Sequence, residues 1–123
     1  MNKRQKGSQF ENKVVENVYL PVDHLAENVG GGKRKRFAGD VKTQFKIQGK
    51  VLVPEAKNTR SNAIISQWRQ TVEQAKKVKG VPVLHKHIFG TSQDIVVLNQ
   101  HDFATLLKEL YILRTVDRER KRR

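Results

Sequence analysis

From Phe10 onward the apolar residues Val14, Val15, Val18 and Tyr19 recur at helical spacing, which predicts an amphipathic helix. Ser8 stands as its N-cap, and Glu11 three residues on fits a capping box. Pro21 ends this helix or begins the next segment, and residues 22–29 fit a short strand or a helical turn equally well. Val41, Thr43, Phe45 and Ile47 then alternate with Lys42, Gln44 and Lys46, the pattern of a half-buried strand. Gln48-Gly49-Lys50 reads as a turn, and Val51 to Lys57 as a second strand. Pro54 removes one ladder donor, so that strand lies at an edge or bulges there. Helical spacing returns in Ile64, Ile65, Trp68, Val72, Ala75 and Val78. A helix is therefore expected over residues 61–79, capped by Ser61 or Asn62 and stopped by Gly80. Val81 to Ile88 and Asp94 to Leu98 read as strands. A last helix opens near Asn99–Asp102 with Phe103, Leu106, Leu107, Leu110, Tyr111 and Leu113 apolar. That stripe packs the core, and any part left exposed serves dimerisation. The order α-β-β-α-β-β-α predicts a small single-domain α/β fold with a central mixed β-sheet flanked by helices.

The chain's 123 residues suffice for one domain with a modest core. Residues 1–7 read as a basic arm, 8–117 as the folded domain and 118–123 as a frayed basic tail. Lys and Arg number 25 against 12 acidic residues, a net charge of +13. That excess predicts salt-sensitive attraction to a polyanion. Ribosomal and architectural proteins share the balance, so charge alone separates neither DNA from RNA nor binding from catalysis. There is no cysteine, which excludes disulfides, zinc-thiolate sites and cysteine nucleophiles. The basic N-terminus has no apolar core behind it, and no apolar run approaches the roughly 20 residues that span a bilayer. A cytoplasmic protein without membrane contact is expected.

Against this charge, the acidic residues Asp40 and Glu55 gain interest. With a turn at 48–50, residue 40 falls roughly across from residues 55–58, and alternation puts Glu55 and Lys57 on one strand face. Two carboxylates and an amine then lie close together. They form either a surface salt bridge from Asp40 to Lys57 or a site for a hard divalent cation. Glu11 is a capping residue or a third carboxylate. Gln67 is an ordinary helix position or part of the same site. Lys33-Arg34-Lys35-Arg36, after Gly30-Gly31-Gly32, is a solvated loop or a grip on phosphates. His85 and His87 share one strand face and fit a surface or core role, or a proton relay or metal pair. Trp68 fits core packing or a dimer contact.

Taken in order, Lys6-Gly7-Ser8-Gln9-Phe10-Glu11, Ala38-Gly39-Asp40-Val41, Val53-Pro54-Glu55-Ala56-Lys57 and Ile65-Ser66-Gln67 resemble the PD-(D/E)xK nuclease superfamily. Within it, the chain looks most like Holliday junction resolvases of the archaeal and phage type, over Lys6 to about His87. The resemblance implies a restriction-endonuclease-like fold. It also implies a metal site of Glu11, Asp40, Glu55 and the Ala56 carbonyl. Lys57 would orient the attacking water and Gln67 support the site, with Mg²⁺ as cofactor and Mn²⁺ able to substitute. The implied activity is resolution of four-way DNA junctions by a homodimer through paired nicking. Lys3, Arg4, Lys6, Lys33, Arg34, Lys35, Arg36, Arg60 and Arg69 would contact DNA, largely through its backbone. Two alternatives stay open: a metal-dependent endonuclease for flaps, mismatches or duplex, and a non-catalytic nucleic-acid-binding protein.

Overall fold

The computed structural model describes residues 3–30 and 39–122, with side chains from Ser8 onward. Helix α1 (Lys3–Val14) runs into a π-helical turn (Val15–Tyr19). Strands β1 (Glu27–Asn28), β2 (Val41–Lys42), β3 (Lys46–Ile47) and β4 (Lys50–Lys57) follow, then α2 (Ile64–Lys76), β5 (Val81–His87), β6 (Asp94–Val97) and α3 (Gln100–Arg122). The main sheet has the order β3-β4-β5-β6, with β4 and β5 parallel and the other pairs antiparallel. Strands β1 and β2 form a separate antiparallel pair. This is the small α/β domain with a mixed sheet that the hydrophobic pattern predicts.

The two sheet faces differ in chemistry. Leu52 and Ala56 of β4 pack with Phe10, Val14, Val15, Tyr19, Ala26 and Val41, the main apolar cluster. By alternation, Val53, Glu55 and Lys57 point to the opposite face. There Glu55 and Lys57 stand beside Leu84 and Lys86 of β5, and α2 covers them. The buried residues of α2 are Gln67, Thr71 and Ala75, so its inward line is partly polar. Ile65, expected in the apolar stripe, is 65% exposed.

Several boundaries depart from the sequence expectation. Helix α1 begins at Lys3, so Ser8 and Glu11 lie inside it and form no capping box. Lys and Gln before Ser8 are good helix formers, and they extend the helix past a plausible cap. The π-helical turn closes with Leu20 N–H donating to Val15 O at 2.8 Å. One extra residue in that turn brings Tyr19 inward and leaves Val18 exposed. The expected strand over 41–47 is broken. Asp23 accepts from the Thr43 hydroxyl and the Gln44 N–H, both at 2.6 Å, and pulls the chain out of the ladder. These hydrogen bonds also hold the Asp23 carboxyl below its usual range. Residues 118–122 are helical rather than frayed, with Asp117 and Lys121 paired at 3.2 Å one turn apart.

Candidate active site

Asp40 reaches Glu55 because the chain entering β2 is fastened to β4. The Asp40 N–H donates to Pro54 O at 2.9 Å, and the Ala56 N–H donates to Asp40 Oδ2 at 2.9 Å. Backbone groups of one strand residue point to the same side. The missing N–H of Pro54 therefore faces the Gly39–Asp40 segment and not β5, which is how a proline sits inside a paired strand. The edge position that Pro54 predicts is not what the fold adopts: β4 lies inside the main sheet, between β3 and β5. The same rule aims the Ala56 carbonyl toward the Asp40 side. The hairpin turn is the two-residue Gln48-Gly49, with φ of 49° and 78° and Ile47 opposite Lys50. Simple continuation of that register would bring Asp40 to Lys57. The break at Thr43–Phe45 brings it to Pro54–Ala56 instead.

Asp40 and Glu55 are buried, at 6% and 7% exposure. Burial pushes the Glu55 carboxyl up to about 8, assisted by the charge of Asp40 and a hydrogen bond to it. Lys57 opposes this shift, and Glu11 adds to it. Asp40, Lys57 and Glu11 thus all act on Glu55 through their charge. In the protonated state Glu55 donates to Asp40. Once it ionises, its charge is buried beside the Asp40 carboxyl, which disfavours the charged form unless a cation offsets it. A surface salt bridge from Asp40 to Lys57 does not suit an Asp40 that is buried and whose Oδ2 accepts from the Ala56 N–H.

The donor set fits a small hard cation. Asp40, Glu55 and the Ala56 carbonyl offer oxygen only, which suits Mg²⁺ or Mn²⁺. Among the described residues, no three His, Asp or Glu side chains form a ready-made metal cage. Glu11 acts on Glu55 through its charge. Gln67 supplies a further mark of a site. Its Nε2 donates to Thr59 Oγ1 at 3.2 Å and Ser61 O at 3.3 Å. Its Oε1 is buried with no partner among the described residues. An unpaired buried acceptor costs on the order of 1–3 kcal/mol, and Gln67 sits on the helix that covers the Glu55 face.

Lys86 belongs to this region although its sequence context gave no sign of it. It is fully buried on β5, next to Lys57 in register and on the face of Glu55. Its Nζ donates to Thr59 O at 3.1 Å, and burial lowers its pKa. Lys86 and Gln67 thus hold the same turn, the one leaving the Glu55–Lys57 strand. The alternation of β5 placed Lys86 opposite His85 and His87. Only the parallel register of β4 and β5 reveals that this is the Glu55 face. Lys86→Met should cost about 1 kcal/mol, the net worth of the hydrogen bond to Thr59, which lies in an exposed turn. Urea unfolding measures that loss.

The histidines lie elsewhere. His85 Nε2 and the Tyr19 hydroxyl share a buried hydrogen bond of 2.7 Å. Burial raises the Tyr19 pKa and lowers that of His85 to about 4, so the ring is neutral. His87 meets Asp94 at 2.7 Å, and Lys13 pairs with the same carboxylate at 2.8 Å. Both rings face α1, away from Glu55, and form no pair with each other. Trp68 is partly buried beside the inward line of α2.

The basic candidates divide. Arg60 is exposed in the turn after the site and stacks over the Phe89 ring at 5.7 Å. Arg69 is exposed on α2. Lys3, Arg4 and Lys6 belong to α1 by backbone. Lys33, Arg34, Lys35 and Arg36 lie outside the described residues. No described helix is long and apolar enough to cross a membrane. Compared with known proteins, the chain matches no family model, no curated protein and no solved structure.

Proposed function

We propose that this chain is a divalent-cation-dependent endonuclease for branched DNA, acting on four-way junctions as a homodimer. One observation carries the reading: Asp40 is fastened by one backbone and one side-chain hydrogen bond to the strand that presents Glu55 and Lys57. A bound Mg²⁺ or Mn²⁺ would polarise the scissile phosphate and acidify a water. Asp40, Glu55 and the Ala56 carbonyl would hold that ion. The Ala56 N–H fixes the orientation of Asp40, so the carboxylate needs no rearrangement. Lys57 offsets negative charge developing on the phosphate, where a preorganised cation is most effective. Gln67 Oε1 is free to accept from a water.

The net charge of +13 supports a phosphate-rich substrate. Arg60, exposed in the turn beside the site, is positioned for such contacts. Two symmetric nicks need two copies of a site that each chain carries once.

The test compares a four-way junction, a flap and a linear duplex, with Mg²⁺ and with EDTA. Paired cuts in the junction, only with Mg²⁺ and with the duplex spared, are expected. Preferential cutting of flap or duplex would move the reading to another endonuclease. Tight binding without cutting would make the chain a binding protein.

A further inference from the structure

Helix α3 is weakly embedded: Thr105 is its one buried residue among those described. Phe103, Leu107, Leu110 and Tyr111 form an outward stripe at helical spacing, each between 45% and 71% exposed. Ile112, Leu113 and Val116, further along, are exposed as well. Such a concentration of large apolar side chains marks an interaction surface. Its charge is equally distinctive. Between Asn99 and Leu113 the only charged residues are Asp102, Lys108 and Glu109, a net charge of −1 within a chain of +13.

We infer that this stripe seats a second copy of the chain, α3 against α3, antiparallel about a two-fold axis. Two copies of so basic a protein repel over most of their surface, and they approach at least cost where the excess charge is absent. A two-fold contact also places an apolar stripe against an identical one. Nucleic acid would need a cation excess that the stripe lacks. A membrane-surface helix carries its cations along the polar face, whereas here they gather beyond the stripe, at Arg114 and Arg118–Arg122. The direction follows from those same residues. A parallel pair would stack Arg114 and Arg118 on their own copies. An antiparallel pair separates them, sets Leu107 against the partner's Leu110, and brings Arg114 to the partner's Phe103 ring.

The seam is short against the roughly 800 Å² per partner of a standard interface, so association in the micromolar range is expected. The inference deepens the proposed function, and its purpose, two cutting sites facing one junction, rests on that reading. The dimer itself is measured without DNA, so either can fail alone.

The experiment is light scattering on the full chain at about 100 μM, well above micromolar dissociation. Wild type should show twice the chain mass of 14.2 kDa. Leu107→Glu with Leu110→Glu should give monomer, and so should Leu107→Lys with Leu110→Lys. Mixing the two variants should restore the double mass, because acidic and basic stripes then meet; misfolded chains would not do this. Monomeric wild type, dimeric variants or no recovery on mixing would overturn the inference. So would binding of wild type, but not of the glutamate variant, to phosphatidylserine–phosphatidylcholine vesicles without self-association.

Discussion

Glu55→Gln is expected to remove cleavage while making the metal-free protein more stable above neutral pH. The activity loss should reach about 10³-fold, since a ligand to the ion and its charge disappear together. The stability gain follows from the raised carboxyl. Burial and Asp40 move Glu55 from 4.5 to about 8. Below pH 4.5 both folded and unfolded chains are protonated there, and the shift costs nothing. Between 4.5 and about 8 the unfolded chain releases a proton that the fold retains. Stability then falls as pH rises, by about 1.4 kcal/mol per unit at most, and levels off above the folded value. Glutamine cannot ionise, so the variant lacks this slope. Urea unfolding at pH 5 and pH 8 in EDTA should show the variant's advantage growing to a few kcal/mol. His85, lowered to about 4, contributes the opposite slope below 6.5. That slope is common to both proteins and cancels in the difference.

Gly39→Ala should damage both fold and site. Gly39 has φ of +79°, and an added Cβ would lie 2.6 Å from Pro54 O and 3.1 Å from Val53 Cγ1. The first neighbour is backbone, and it is the acceptor of the Asp40 N–H. Alanine must therefore push β4 away and break the bond that positions Asp40. A loss of about 2–4 kcal/mol is expected, combining left-handed strain with the clash. A misplaced carboxylate should slow cleavage by about 100-fold. Gly49→Ala is the control. Its φ is +78°, but nothing lies within 4 Å of the added Cβ. It should cost about 1 kcal/mol, from strain alone, and leave cleavage intact. Equal damage from both substitutions would mean that backbone strain, and not the Pro54 contact, governs position 39.

The elements were legible where side-chain periodicity is strong. Val51–Lys57 and the two later strands are short apolar runs, and Val41–Ile47 follows the spacing of a half-buried strand. Phe10, Val14, Val15 and Tyr19 follow that of a helix. Boundaries were less legible because local rules compete. Ser8 looks like a cap, yet the helix formers before it carry α1 back to Lys3. The strand over 41–47 has good alternation, yet Asp23, twenty residues earlier, withdraws Thr43 and Gln44 from it. No pattern within the strand announces such a contact. The proximity of Asp40 and Glu55 was foreseen from the hairpin, although the broken ladder shifts the contact from Lys57 to Pro54–Ala56. Lys86 was hidden because its face is set by the parallel pairing of β4 with β5, a long-range property.

The most direct test is the binding of Mn²⁺ to the metal-free protein, followed by the loss of its free-ion electron paramagnetic resonance signal. The expectation is one ion per wild-type chain and none in folded Asp40→Asn or Glu55→Gln. Equal binding by wild type and both variants would contradict it, because the buried carboxyl pair would then hold no metal.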